Sequence, residues 1–272
     1  MTRPPNPTTS SSGRRLQWGS LAGLCAGLLV IGRAQVVTGG HLSALAQPAA
    51  GWLVVGGTAA VLVGSFPART LTRALRALGD ALTTAAIAPE TLITAFAQYA
   101  SIARRQGVMA LEAEVEGARD PFLARALALA VTGTPGEVVH RTLETEAQVA
   151  AGVEEENAVV FETAAGYAPT LGMIGAVLGL MQVMRHVDRP AEAGAGVAAA
   201  FVSTIYGLAL ANVVCLPLAA RLRARSRADG LRRALTMAGV RALVERAQPR
   251  MVEETLAAYL REPRPGARVE AA

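Results

Sequence analysis

Two long stretches without a charged side chain, residues 163–184 and 193–220, constrain the fold of this chain more than any other feature. Each exceeds the roughly 20 residues that an α-helix needs to cross a hydrocarbon core of about 30 Å. Both are rich in glycine, alanine, hydroxyl groups and proline rather than in leucine. Small residues let helix backbones approach one another closely inside a membrane. The pattern predicts two membrane-spanning helices that pack on other helices and line a polar path.

Two further apolar stretches come earlier in the chain. They run from about Leu16 to Gly40 and from Ala49 to Phe66, with a short polar hairpin between them. Hydrophobic residues make up 52% of the sequence and charged residues 17%, and the hydrophobic residues are concentrated in blocks. This distribution is typical of a polytopic membrane protein. The sequence therefore predicts an all-α integral membrane protein with four transmembrane helices.

The region between the second and third spans contains residues that typically start and end the helices of soluble domains. Asp120 suits an N-cap, Pro121 the first helical position and Gly133 a helix end. No alternating strand pattern competes with this. We predict a large helical domain between helices 2 and 3, with Glu154–Glu156 forming a solvated face. A helical segment follows the last span.

Arginine placement predicts the topology, because loops rich in basic residues stay in the cytoplasm. The chain has no lysine, and 23 of its 26 arginines lie in the N-terminal tail, the large loop or the segment after the last span. These parts are therefore predicted to be cytoplasmic, in a bacterial inner membrane, with both termini inside. The basic segment 221–233 is expected to bind anionic membrane lipids.

The predicted organisation has six segments. They are a disordered cytoplasmic tail (1–15), transmembrane helices 1 and 2 (16–67), a cytoplasmic helical domain (68–157), transmembrane helices 3 and 4 (158–220), cytoplasmic amphipathic helices (221–261) and a disordered tail (262–272).

No catalytic or metal-binding set is evident in the sequence. Cys25 and Cys215 are far apart and lack metal-ligand spacing, and no Ser/His/Asp set or paired buried carboxylates occur. We expect neither an enzyme nor a cofactor, and no nucleic-acid recognition fingerprint is present. No carboxylate lies deep in any span, although ion pathways normally need an ionisable group there. A translocating role would require a partner subunit to supply that group.

Small residues recur on one face of each of the last two spans. They are Gly172, Gly175 and Gly179 in span three, and Gly196, Ala200, Ser203, Gly207 and Ala211 in span four. We expect these faces to pack against other helices. Pro169 and Pro217 each remove a backbone donor and free a carbonyl one turn earlier. Such defects are tolerated in a membrane where they are buried in protein or meet water.

Several separated motifs together resemble the MotA/PomA family of flagellar stator subunits, within the MotA/TolQ/ExbB proton channel superfamily. The runs Phe161–Leu180 and Ser203–Gly207, the latter followed by Ala211-Asn212 and Leu216-Pro217, resemble the third and fourth spans of that family. The other matching motifs are Gly56-Gly57, Ala103–Gly107 with Ala110–Glu112, Asp120–Phe122, Leu143–Glu146 and Ala247–Arg250.

The resemblance implies a role in bacterial motility and chemotaxis. It implies a homo-oligomeric ring, usually of five subunits, around a dimer of a single-span MotB-like partner that donates the membrane aspartate. Ion flow would turn the ring, and the cytoplasmic loops would generate torque by pushing the rotor protein FliG.

The resemblance also implies roles for individual residues. Arg104, Arg105 and Glu112 match charges that contact the rotor. Pro169 and Pro217 match prolines that couple ion binding to movement.

For the ion pathway, Thr204 matches a hydroxyl near the ion path. Ala176 stands where sodium-driven members carry threonine, which favours protons, because sodium needs a cage of protein oxygens. Ser203 keeps one hydroxyl beside Thr204 and leaves sodium open.

Two other functions fit parts of the sequence. An ExbB/TolQ-like energiser of outer-membrane transport or envelope processes is one, but such proteins typically have three spans with a different loop placement. A non-catalytic membrane scaffold is the other, and gene deletion scored by swimming would separate it from a stator.

Overall fold

The computed structural model of the chain describes residues 45–83, 88–118, 120–185 and 188–260, with isolated positions between 26 and 37. Every regular element in these ranges is helical, which confirms the all-α prediction. The main helices are α1 (Pro48–Ser65), α2 (Ala68–Thr83), α3 (Pro89–Gln106), α4 (Glu112–Gly117), α5 (Pro121–Val131), α6 (Gly136–Arg185), α7 (Pro190–Ala209), α8 (Leu216–Val244) and α9 (Pro249–Ala258). A 3-10 turn, Val108–Leu111, precedes α4, and π-helical segments occupy Trp52–Gly56 within α1 and Leu210–Cys215 between α7 and α8.

Three helical stretches are long and apolar enough to cross a membrane, judged by length and composition. They are Pro48–Ser65, Gly136–Arg185 and Ala193–Val244. The predicted first span, 16–40, lies outside the described residues except for the isolated positions between 26 and 37, which are helical. The tails 1–15 and 262–272 lie outside them altogether. The count of four spans therefore stays a prediction.

The chain divides into two compact units. In the described part, the loop unit comprises residues 88–152 and 226–260, and the span unit comprises residues 26–83 and 153–225. These packing units do not coincide with the segments predicted from hydropathy, because residues 68–83 and 153–157 pack with the apolar helices. The assignment of each segment to a side of the membrane stays a prediction.

The loop unit has a well-defined apolar core contributed by α3, α5, α6, α8 and α9. Its most buried large side chains are Phe96, Leu111, Leu127, Leu143, Leu235, Val240, Leu243, Val252 and Leu256. Phe96 makes an edge-to-face contact with Tyr99, with ring centroids 5.7 Å apart. Gly239 makes room for this pair, since a Cβ atom there would lie 2.5 Å from Phe96 Cδ1.

The start of α5 follows from its sequence as predicted. The side chain of Asp120 accepts a hydrogen bond of 3.1 Å from the backbone N–H of Phe122, and Pro121 occupies the first turn. Gly133 has φ +70° just after the helix ends, a conformation that favours glycine. Asp120 is also buried and pairs with Arg232 on α8 at 2.7 Å. The cap therefore also ties α5 to α8.

In the span unit, alanine dominates the buried positions. Ala164, Ala165 and Ala168 of α6 pack with Ala211 and Cys215. A second layer, formed by Ala81, Ala158 and Leu222, joins α2 to α6 and α8. Because alanine adds little bulk, these helix axes can lie close together.

Candidate functional site

Helices α6 and α7 meet through their smallest residues, and their backbones approach closely there. A Cβ atom added at Gly207 would lie 2.6 Å from the carbonyl oxygen of Ala168 and 3.1 Å from the Cα atom of Pro169. One added at Gly172 would lie 2.9 Å from the carbonyl oxygen of Ser203. Backbone contacts cannot be relieved by rotating a side chain. The backbone separation at these positions therefore depends on glycine.

The same contact continues along both helices. A Cβ atom at Gly179 would lie 2.9 Å from the carbonyl oxygen of Gly196 and 2.9 Å from the Cβ atom of Ala200. At Gly175 an added Cβ atom would collide with the hydroxyl of Ser203. The structure thus brings the two predicted glycine stripes together, face to face, within one chain.

The two prolines occupy different surroundings. Pro169 lies inside α6 where that helix meets Gly207, and it is partly buried. Pro217 is exposed and comes two residues after the π-helical segment Leu210–Cys215. Within that segment, the Asn212 amide donates a 3.0 Å hydrogen bond to the Leu208 carbonyl. Prolines and π-helical turns both interrupt the regular hydrogen-bond ladder, and such interruptions often mark functional positions.

The hydroxyl groups of α7 also differ in environment. Ser203 is 1% exposed, and its Oγ has no hydrogen-bond partner in the described part of the chain. Thr204 is partly exposed, and its Oγ1 donates to the Ala200 carbonyl at 3.3 Å. Ala176 on α6 is partly buried. Of the two hydroxyls, that of Thr204 is the better placed to meet an ion or a second chain, because Ser203 lies inside the α6–α7 contact.

The opposite face of α6 exposes large apolar side chains. They are Met173, Ile174, Val177, Leu178, Leu180, Met181 and Met184, each at least half exposed. A patch of this extent on a single chain needs lipid or another protein chain to cover it.

The predicted rotor-contacting residues lie in the loop unit and are all exposed. Arg104 and Arg105 end α3, and Glu112 begins α4, so each charge has the sign that the local helix dipole favours. Gly107, with φ +88°, makes the turn between them. Leu111, fully buried, fixes that turn to the core. None of the three charged side chains forms an ion pair with another described residue, so they remain available to a partner.

A polar cluster that the sequence did not predict lies where α2 packs on α6 and α8, within the span unit. We call it the collar, and its members are Arg73, Glu155, Glu156, Asn157, Glu162 and Arg223. Arg73 pairs with Glu156, and its Nε donates to Asn157 Oδ1 at 3.0 Å. Glu155 and Glu156 are therefore ion-paired, although their side chains stay 53% and 44% exposed, so the predicted solvated face also forms ion pairs.

Arg223 contributes the second half of the collar. Its guanidinium lies 2.7 Å from Glu155 and 2.6 Å from Glu162. The hydrogen bond to Glu155 raises the pKa of Arg223 above its usual value. Only a regular α6 and the return of α8 bring these residues together, since they are 61 to 68 positions apart.

Arginines of the predicted lipid-binding segment 221–233 are largely engaged within the chain. Arg221 donates to the Ala81 carbonyl at 3.2 Å, Arg223 belongs to the collar and Arg232 pairs with Asp120. Arg227 is exposed and has no ion pair in the part of the chain described. Binding of this segment to anionic headgroups stays a prediction.

Comparison with known proteins connects this architecture to one family. Residues 114–234 match the MotA/TolQ/ExbB proton channel family. The chain is 34% identical to Motility protein A of Bacillus subtilis (strain 168) over 247 residues, which cover 89% of this chain and 90% of the relative. The chain belongs to the MotA family. MotA-family proteins are channel subunits, so this chain is not an enzyme.

Further relatives agree. Chemotaxis protein PomA of Vibrio alginolyticus is 31% identical over 89% of this chain and 95% of its own length. A chain in the flagellar MotAB stator complex from Bacillus subtilis superposes with a TM-score of 0.84 at 32% identity, covering 89% of this chain and 96% of that chain. A chain of C. jejuni MotAB has the same fold, with a TM-score of 0.86 at 23% identity over 92% and 98% of the two chains.

Proposed function

We propose that this MotA-family chain is a stator subunit that forms an ion channel with a MotB-like partner and converts ion flow into flagellar rotation. The observation that carries the proposal is similarity along nearly the whole chain, in sequence and fold, to one subunit of a MotAB stator complex. The motility names of these relatives favour this function over an ExbB/TolQ-like energiser and over a scaffold.

The membrane arrangement is part of the proposal. We infer four spans in the bacterial inner membrane, with both termini and the loop unit in the cytoplasm. The positions of 23 of 26 arginines support this topology, because basic loops are retained in the cytoplasm. Membrane lipids would then contact those exposed apolar side chains of the spans that no other protein chain covers.

The partner's role follows from the chemistry that the spans lack. Between Glu162 and Arg185, α6 has no ionisable side chain except Tyr167, and the uncharged stretch of span four has only Tyr206 and Cys215. Proton conduction at membrane depth needs a carboxylate or similar group. We infer that the MotB-like partner supplies an aspartate and that copies of this chain, five by family resemblance, surround it.

Within this arrangement, Pro169 and Pro217 would couple ion binding to movement. Ala176 and Thr204 would line the ion path, with Ser203 behind Thr204 in the α6–α7 contact. Alanine at 176 supports protons as the driving ion. Arg104, Arg105 and Glu112 would contact the rotor protein FliG.

The direct test is complementation. The gene, expressed with its single-span partner in a flagellated host that lacks its own stator genes, should restore swimming, and swimming should stop when a protonophore is added. Restoration without the partner would contradict the proposal. Swimming that tracks external sodium and ignores the protonophore would refute the ion assignment alone.

A further inference from the structure

Arg223 of the collar holds two turns of α6 at once. Glu155 and Glu162 are seven residues apart, about two helical turns, so both carboxylates project from one face of α6. Arg223 Nη2 lies 2.7 Å from Glu155 Oε1, and Nη1 lies 2.6 Å from Glu162 Oε1. A guanidinium can serve two carboxylates because it has five donors in a fixed plane. Arg223 thereby fixes one position of α8 against two positions of α6 that lie about two turns apart.

The position of this tie along the helices is informative. Glu162 precedes Pro169 by seven residues on α6, and Arg223 follows Pro217 by six residues on the helical stretch that contains α8. The collar thus lies just beyond both prolines, on the N-terminal side of Pro169 in α6 and on the C-terminal side of Pro217 in α8. A bend at either proline can therefore displace the rest of α6 or α8 only if the collar residues move as well.

A second arginine ties a third helix to the same level. Arg73 of α2 pairs with Glu156 and donates to Asn157 Oδ1, and Asn157 is only 5% exposed. At the same level as these polar contacts, Ala158 and Leu222 pack in one apolar layer with Ala81 of α2. Helices α2, α6 and α8 are therefore held by ion pairs and by packing at one level.

We propose that Arg223 is a positioning residue for torque generation, because it makes α6 and α8 move as one body beyond the two prolines. The proposal rests on the stator function inferred above. A helix that bends alone at a proline can dissipate the displacement locally. Two helices tied to each other just beyond the prolines transmit it together. Loss of the tie should leave the ion pathway intact, since Arg223 lies outside the apolar spans, but it should reduce the rotation obtained per ion.

The test compares Arg223→Gln with Arg76→Gln in the complete two-protein complex. Arg76 is the matched control because it is an arginine of the span unit that lies on α2 one turn after Arg73, is exposed and has no ion pair in the described part. Torque per stator is measured from bead rotation on tethered flagella. Proton flux is measured with an internal pH dye in vesicles that contain the purified complex. For Arg223→Gln we expect torque to fall about two- to fivefold at unchanged flux, while Arg76→Gln changes neither.

An exchange of charges provides the rescue. Arg223→Glu combined with Glu155→Arg and Glu162→Arg inverts both ion pairs and places one carboxylate between two guanidiniums, so the ratio of torque to flux should recover towards that of the wild type. If Arg223→Gln does not accumulate in the membrane, Arg223→Lys replaces it. Lysine keeps the charge but is not expected to hold both carboxylates, so an intermediate ratio is expected.

Several outcomes would overturn the proposal. Torque and flux that fall in proportion would show a purely structural role, and an unchanged torque would show that the tie is dispensable. An exchange variant no better than Arg223→Gln would also contradict it. A wild-type complex that neither rotates flagella nor conducts protons would instead refute the stator function itself.

Discussion

The close backbone contact between α6 and α7 at Gly207 offers a sharp test of helix packing in the span unit. Substitution by alanine adds a methyl group 2.6 Å from the carbonyl oxygen of Ala168. Carbon and carbonyl oxygen rarely come closer than about 3.3 Å in stable contacts. Helix α7 must therefore move away from α6 by about 0.7 Å, and this separates the backbone contacts at Gly172 and Pro169.

The free energy cost follows from two opposing effects. Overpacking a close contact typically costs about 1–3 kcal/mol. Replacing glycine by alanine within a helix returns roughly 0.5–1 kcal/mol through helix propensity. The net destabilisation should be about 1–2 kcal/mol, and a protein of this size loses roughly 2–4 °C in Tm per kcal/mol.

Gly194→Ala is the matched control, because Gly194 also lies in α7 and a Cβ atom there would have no atom within 4 Å. Both variants are purified with the partner and followed by thermal unfolding, and both are scored for swimming. Gly207→Ala should lower Tm by several degrees and slow swimming, whereas Gly194→Ala should do neither. Equal Tm values for the two variants would refute the inference that backbone contact at Gly207 holds these helices together.

Other perturbations test the loop unit. Asp120→Ala removes an N-cap worth about 1 kcal/mol and a charge-assisted bond to Arg232 worth about 1.5–3 kcal/mol, so the free energy of unfolding should fall by about 2.5–4 kcal/mol. Asp120→Asn can still cap, so its loss should be smaller by about 1 kcal/mol, and equal losses in the two variants would refute this separation into cap and ion pair. Burial, with a smaller effect from a neighbouring glutamate, raises the pKa of Tyr99 to about 12 from 10, and because the folded state favours the neutral phenol, about 2–3 kcal/mol of stability should disappear between pH 10 and 12. Tyr99→Phe should lack that loss when unfolding is measured across this pH range; an identical pH profile would contradict it. Glu112→Arg should lower torque at least about twofold through repulsion or loss of the rotor contact with normal membrane levels, whereas Glu116→Arg, on the same exposed helix, should not, and unchanged swimming in both would remove Glu112 from the rotor contact.

Local features of this fold follow directly from the sequence. The N-cap at Asp120 and the turn at Gly133 need only a few neighbouring residues, so their pattern predicts them. The spacing of Gly172, Gly175 and Gly179 places them on one helix face, because that depends only on the period of the helix.

Features that depend on long-range packing could not be predicted in the same way. No periodicity indicates that Gly207 meets the carbonyl of Ala168, or that Arg73 reaches Glu156 across 83 positions. For the same reason, the sequence indicates Glu155 only as one of three neighbouring solvated acids and does not reveal its ion pair with Arg223. The meeting of Gly175 with Ser203 is likewise fixed by how α6 and α7 pack rather than by either helix alone.

The most direct test of this account is ion conduction by defined components. The chain is purified alone and together with its single-span partner, and each sample is reconstituted in vesicles under an imposed proton gradient. We predict proton flux only when the partner is present, and none when the membrane aspartate of that partner is replaced by asparagine. Steady proton flux through vesicles that contain this chain alone would contradict the claim that it forms the walls of the pathway while another chain provides the titrating acid.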